Sequence, residues 1–298
     1  MVKFLLCRPQ GGLNDIMVQV EKCCKYGERF GRIVVVDTDY QNSITFRDKF
    51  SNYFVSKQEN FVLDASPYLQ SFESLSVYPH CLKGRLNSYQ AKWHEVNNKF
   101  LFVEKETKTP IHFDFETAFE EDVLVHHQCG GGEQAISLGK RLTITQNLFE
   151  ELVYRLDIIH GEFDAVHIRH TDMQSNYLEA IEQLQKKYFT KLFVATDNRS
   201  ILEIIRSTFP KHNIISFSNL PQQAGKPIFH GNTDVPIKIA NREAILDLFT
   251  LAFAKSLTLC KATNNAYNEY SGYSLFAKKL NEKGSLLTAF FPKQEILI

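Results

Sequence analysis

No stretch of this 298-residue sequence approaches the roughly 20 consecutive apolar residues that a membrane-spanning helix needs. Net charge is also missing: 34 Lys and Arg balance 34 Asp and Glu. No global basic field therefore exists to attract nucleic acid, and any phosphate binding must be local. The six cysteines (Cys7, Cys23, Cys24, Cys81, Cys129 and Cys260) form no Cys-x-x-Cys pair. That spacing excludes a disulfide framework or structural zinc and points to a reducing compartment. Neither Gly-x-Gly-x-x-Gly nor a Gly-Lys-Ser/Thr phosphate loop occurs, so dinucleotide-binding and P-loop readings lack their defining residues. Internal repeats and low-complexity tracts are absent as well. The opening Met1–Pro9 is too short in its apolar part for a secretory segment. The expectation is a soluble cytoplasmic protein, with contact at the inner membrane face left open.

What remains is ordinary globular material, 44% hydrophobic and 23% charged, long enough for two domains with separate cores. Phe4–Cys7 reads as a buried strand stopped by Arg8-Pro9-Gln10-Gly11-Gly12. A helix over Asp15–Phe30 follows from Ile16, Val20, Cys23 and Cys24, with Asn14 or Asp15 as its cap. Ile33–Val36 is a β-branched strand ending at Asp37-Thr38-Asp39. Residues 40–120 are aromatic and polar without clear periodicity. Val123–His127 forms another strand, closed by Gly130-Gly131-Gly132, and Thr145–Leu156 is helical. Strands at Ala165–Ile168, Lys191–Ala195, Ile214–Phe217 and Leu257–Cys260 then alternate with helices over Asn176–Tyr188, Arg199–Phe209, Arg242–Lys255 and Ser274–Leu280. This alternation implies α/β architecture with parallel, doubly wound sheets. The expected domains are 1–145 and 146–298.

Ligands of such sheets bind beyond the carboxyl ends of the strands. His167-Ile168-Arg169-His170-Thr171-Asp172 places Arg169 there, where a planar fork suits an anionic, diphosphate-bearing ligand. The structural alternative is an Arg169–Asp172 pair at a strand end. Two further tips, Thr196-Asp197-Asn198 and Thr263-Asn264-Asn265, should reach the same edge. A nucleotide could lie there with Asp197 or Asn198 at base or ribose. At the first turn, Gly11 and Gly12 allow close backbone approach before a helix N-terminus. Asp37 stands where a dinucleotide fold holds ribose, and Asp37-Thr38-Asp39 is also a weak metal-binding Asp-x-Asp; a solvated strand end is the competing reading. Gly130-Gly131-Gly132 is either a hinge or a ligand-approach loop. Trp93, with Tyr89, His94 and Asn97, is a candidate acceptor surface, although a buried core aromatic is the first expectation. Asp247, on an apolar helix, needs a partner if buried.

With these residues in view, the chain resembles the fucosyltransferase-like superfamily of GT-B glycosyltransferases. That group includes 1,2- and 1,6-linking fucosyltransferases, protein O-fucosyltransferases and bacterial nodulation-factor fucosyltransferases. Gly11–Gln19 followed by Val34–Thr38 is similar to its Gly-Gly-Leu-Gly-Asn-Gln opening and second strand. His167–Asp172 is similar to its His-x-Arg-x-Gly-Asp motif, Phe193–Asn198 to its Ala-Thr-Asp segment, and Glu243–Ala252 to the helix before its last nucleotide-contacting loop. Thr171 replaces the motif's Gly, Asn14-Asp15 replaces Gly-Asn-Gln, and the Ser-rich loop is only loosely echoed by Ala262–Tyr267.

The resemblance implies two Rossmann-like doubly wound domains facing each other across a cleft, the first on the acceptor side and the second holding the nucleotide sugar. It implies an inverting, metal-independent transfer from a GDP-sugar, GDP-fucose first, to a glycan or lipid-linked glycan, with no further cofactor. Arg169 would bind the diphosphate, with His167 and Asp172 shaping its loop. Asp197 and Thr196 would lie near guanosine, and Thr263 and Asn264 would hold phosphate oxygens. Gly11, Gly12 and Asn14 complete the expected donor contacts. Asp15 and His170 are the candidates for base by placement. The competing readings are a non-catalytic nucleotide- or glycan-binding protein on the same scaffold and an NAD-type oxidoreductase built on Gly11 and Asp37.

Overall fold

The apolar run Lys3–Cys7 (β1) is covered on both faces, as a central parallel strand must be. The computed structural model describes residues 2–41, 43–96, 99–132, 134–221, 234–263 and 269–292. The chain divides into two compact units, Met1–Thr143 and Ile144–Ile298.

In the first unit, helix Leu13–Phe30 (α1) buries Ile16, Val20, Cys23, Cys24 and Gly27, a stripe at helical spacing. Strand Arg32–Val36 (β2) runs parallel to β1, with Lys3 opposite Arg32 and Cys7 opposite Val36. The aromatic stretch that lacks periodicity supplies short pieces: strands Phe54–Ser56 (β3) and Phe61–Val62 (β4), helix Leu69–Phe72 (α2) and strand Val77–Tyr78 (β5). An antiparallel ribbon of Ala91–Val96 (β6) and Lys99–Glu104 (β7) follows. Then come Val123–His126 (β8) and Leu142–Ile144 (β9), which pairs with β3. The main sheet has the order β4-β2-β1-β8-β5, all parallel. Its winding reverses between β1 and β8, so the tips after these two strands flank a crevice. Leu6, Val35, Phe72, Val77, Tyr89, Ile111, Val123 and Val125 pack one face.

The second unit opens with helix Gln146–Ile159 (α3) and strand Asp164–Ile168 (β10). Helix Tyr177–Gln185 (α4), strand Lys191–Thr196 (β11), helix Arg199–Thr208 (α5) and strand Asn213–Ile215 (β12) continue the alternation. Helix Ile237–Ala252 (α6), strand Ser256–Leu259 (β13) and helices Gly272–Glu282 (α7) and Gly284–Thr288 (α8) complete it. The sheet order is β12-β11-β10-β13, all parallel, with the reversal between β10 and β13. Val166, Ile168, Leu184, Leu192, Val194 and Ile205 share one core.

Several expected boundaries shift for local reasons. The cap of α1 is Gly12, not Asn14 or Asp15, which lie inside the first turn. Helix α4 stops at Gln185 rather than Tyr188, where Lys187 N–H turns back to the Leu184 carbonyl. Helix α6 starts five residues earlier than its apolar pattern, directly after Pro236, whose fixed φ suits a helix start. It ends at Ala252 rather than Lys255, whose N–H bonds the Phe163 carbonyl instead. The strand expected to reach Phe217 ends at Ile215. Asp247 is buried and has its partner: Arg155 Nη1 donates to it at 2.9 Å, and Ser218 also donates. Burial raises its pKa to about 6 against the pull of Arg155. Among the described residues, no helix is long and apolar enough to cross a membrane.

Candidate functional site

At the reversal point of the second sheet, three loop tips meet. β10 and β11 run in register from Asp164–Leu192 to Ile168–Thr196, and β10 and β13 from Asp164–Ser256 to His167–Leu259. Their carboxyl ends therefore finish level, and the residues that follow share one edge.

The β10 tip is clamped from both sides. Asp197 Oδ1 accepts from the His170 backbone N–H at 2.7 Å, and Asp197 Oδ2 accepts from the Thr171 hydroxyl at 2.6 Å. Asn198 Nδ2 donates to the His170 carbonyl at 2.9 Å while its Oδ1 caps α5. On the other side, Asn176 N–H donates to the Lys261 carbonyl at 2.8 Å, and Thr263 N–H donates to the Gln174 carbonyl at 2.9 Å. Thr171 thus explains its own presence where the motif has Gly: its hydroxyl is a second anchor to Asp197. Burial raises the Asp197 pKa, and the two donated hydrogen bonds oppose that rise.

Arg169 stands on this clamped loop and is engaged by Asp172 in a fork, Nε to Oδ1 at 3.0 Å and Nη2 to Oδ2 at 2.6 Å. Burial disfavours the Asp172 carboxylate, but the Arg169 hydrogen bonds and charge hold its pKa below the usual value. Asp172 accepts two of the five N–H groups a guanidinium carries and fixes the plane of the fork. The structural alternative foreseen for this pair is therefore present, and it orients Arg169 at the sheet edge.

His170 Nδ1 accepts from the Ser175 backbone N–H at 3.1 Å, and the imidazole meets Tyr177 edge-on. In the neutral ring that acceptance places the proton on Nε2. The Nδ1 lone pair is thereby engaged by the Ser175 N–H.

His167 is buried within β10, so it lies beneath the edge. Its Nδ1 meets Ser274 Oγ at 2.6 Å, and Ser274 N–H donates at 3.1 Å to Ser271 Oγ, the cap of α7. Burial, with Arg169 adding to it, lowers the His167 pKa to about 3, so the ring is neutral. It ties the N-terminus of α7 to the end of β10. The helix expected from Ser274 starts two residues earlier, at Gly272, because Ser271 caps it. Thr196 is buried, and its Oγ1 accepts from Asn198 N–H at 3.2 Å. Thr263 is exposed on the loop, and Asn264 lies outside the described residues.

The first unit gathers a separate group at the β1–β8 reversal. Gly11 has a φ of +105°, and a Cβ there would lie 2.6 Å from Asp15 Oδ2. A Cβ on Gly131 would lie 2.7 Å from Asp15 Oδ1 and 3.0 Å from Asn14 Nδ2. Gly11 and Gly131 therefore both close on the first turn of α1. Gln19 holds the Gly130-Gly131-Gly132 loop by donating to the Gly130 carbonyl at 2.7 Å. Asn14 is 3% exposed, yet among the described residues neither its Oδ1 nor its Nδ2 has a hydrogen-bond partner. A buried amide in that state usually awaits a water, ion or ligand. The helix N-terminus beside it carries no side-chain cap.

Asp37 is not at a solvated edge. It is buried and accepts from Arg8 Nε at 2.7 Å, while Arg8 Nη1 donates to the Leu86 carbonyl at 2.6 Å. The carboxylate is consumed by this pair, which removes the acid on which the ribose-binding and Asp-x-Asp readings rest. Arg8 is flanked by Tyr40 and Tyr89, whose hydroxyls both lie 2.9 Å from the two nitrogens of buried His127.

No protein-family model and no curated protein matches this chain. Solved structures do resemble it. The fucosyltransferase NodZ from Bradyrhizobium superposes with a TM-score of 0.62 at 15% identity, covering 94% of each chain. NodZ alpha-1,6-fucosyltransferase co-crystallised with GDP gives 0.61 at 15% identity, over 94% of this chain and 93% of that one. POFUT1 in complex with GDP-fucose gives 0.52 at 12% identity, over 94% and 93%. The fold is thus that of the GT-B fucosyltransferases, along nearly the whole chain.

Proposed function

We propose that this protein is a glycosyltransferase that takes its sugar from a GDP-sugar, GDP-fucose first. The observation that carries the proposal is the clamped loop at the β10–β13 reversal. It presents the Arg169 fork at the edge where doubly wound sheets receive ligands. The shared fold supports the choice of donor, because the NodZ and POFUT1 structures hold GDP or GDP-fucose.

In the transfer, the bond between the anomeric carbon and the phosphate oxygen breaks, and the leaving diphosphate gains charge. Fixed N–H donors from Arg169 act where that charge develops. In this reading the N–H donors of Arg169, rather than a metal, meet the charge on the leaving diphosphate. Attack of an acceptor hydroxyl on the opposite face of the sugar inverts the anomeric centre. With the His170 Nδ1 lone pair occupied, Asp15 is the proposed base. Asn14, Gly11 and Gly12 are the proposed contacts of the first unit, the unpartnered Asn14 amide being the reason.

A second reading, a nucleotide-binding protein without turnover, is favoured by the closed Arg169–Asp172 fork. Calorimetric titration with GDP, GDP-fucose, GDP-mannose and UDP-glucose, with and without EDTA, tests the donor. The expected result is EDTA-insensitive binding of GDP and GDP-fucose that Arg169→Ala abolishes. Binding of neither would overturn the proposal.

A further inference from the structure

The ribbon of β6 and β7 carries the chain's single tryptophan, and it is not in the core. Trp93 is 48% exposed and Phe100 is 56% exposed, against the expectation of a buried aromatic. Their rings are nearly parallel, 14° apart, with centroids separated by 6.1 Å. The pairing register sets Trp93 opposite Phe102 and Phe100 opposite Glu95, so all four share one face of the ribbon.

These two half-exposed rings are held rigid from behind. Trp93 meets Phe102 at 5.0 Å, Phe102 stacks on His127 at 5.0 Å, and His127 is fixed by the Tyr40 and Tyr89 hydroxyls. The ladder runs from the buried carboxyl edge of the first sheet to the exposed part of the ribbon. Such pre-ordering lowers the entropic cost of binding a ligand.

We propose that the Trp93–Phe100 shelf is a binding subsite for a neutral glycan, the acceptor class of the proposed transferase reaction. This rests on the reading of the chain as a glycosyltransferase. The face of an aromatic ring is electron-rich and meets the C–H face of a pyranose ring. The exposed Glu95 carboxylate beside Phe100 then accepts from sugar hydroxyls, in charge-assisted hydrogen bonds. The size of the shelf argues for this occupant. A fully buried aromatic residue covers about 150–250 Å², so two half-exposed rings offer roughly 200 Å². A stable protein interface needs about 800 Å² on each side, which the shelf does not approach.

Because Trp93 is the only tryptophan, its emission reports the shelf directly. The full chain is titrated with tetrasaccharides of β-linked glucose, mannose and N-acetylglucosamine while emission is followed, and GDP binding is measured in parallel. The proposal expects at least one tetrasaccharide to shift emission to shorter wavelength. Phe100→Ala should weaken that binding by about tenfold, the loss of one ring face. On immobilised glycan, Trp93→Phe should be retained and Trp93→Ala lost, with GDP affinity unchanged in every variant. No shift with any of the three, or an equal affinity in Phe100→Ala, overturns the proposal while GDP binding stands. A shift that grows with protein concentration alone, or only with phosphatidylcholine vesicles, also overturns it, in favour of a second copy or a lipid surface. Loss of GDP binding in the unsubstituted chain contradicts the donor assignment instead.

Discussion

Arg8 shows how one side chain can be spent on the scaffold rather than on a ligand. Burying a charge is costly unless it is paired and hydrogen-bonded, and Arg8 finds Asp37 and the Leu86 carbonyl. Arg8→Met should destabilise the first unit by about 3–5 kcal/mol in denaturant unfolding, because Asp37 is left buried and alone. Arg8→Met combined with Asp37→Leu should recover much of that loss, and no recovery would show that the Leu86 contact dominates. His167 gives a second test at this scale. It ionises at about 3 when folded, against 6.5 for an ordinary imidazole. The unfolded chain therefore binds a proton that the folded chain refuses, and stability is lost as pH falls from about 6.5 towards 3. His167→Gln should reduce that slope near pH 5 by about 1.4 kcal/mol per pH unit. An unchanged slope would mean that His167 is not neutral in the fold.

At the scale of elements, the β10 loop is a clamp whose jaws are the tips of β11 and β13. Asp197 acts through the loop, by the His170 N–H and Thr171 hydroxyl, rather than from an open position. Asp197→Ala should weaken GDP binding at least tenfold by freeing the loop, with a smaller loss in Asp197→Asn, whose carbonyl still accepts one bond. Thr171→Gly should cost less than Asp197→Ala, since it removes one anchor of two. Equal GDP affinity in all three variants would show that the clamp has no part in binding. The sequence announces these tips because three strands of four to six residues end in polar clusters. It hides the clamp, because which tip grips which depends on a register visible only in the paired sheet. The Arg8–Asp37 pair was closer to legible: Cys7 pairs with Val36, so the next residues are neighbours. The exposure of Trp93 is not legible, because its size argues for burial and nothing local marks a ribbon that leaves the core.

Over the whole molecule, elements with long apolar runs are legible in the sequence, and elements defined by tertiary packing alone are not. Phe4–Cys7, Ile33–Val36, Ala165–Ile168 and Lys191–Ala195 all stand as central strands. β4 and β5, with two residues each, fall below any periodicity, yet they form both edges of the first sheet. The central claim, that this fold runs a metal-independent transfer from a GDP-sugar with Arg169 at the leaving diphosphate, is one of chemistry. The most direct measurement is GDP release from GDP-fucose in the presence of EDTA, with and without a mixed glycan acceptor. Release in the unsubstituted chain, reduced about 10²–10³-fold in Arg169→Ala, is the predicted result. Release that Arg169→Ala leaves intact, or none from GDP-fucose at all, would contradict it.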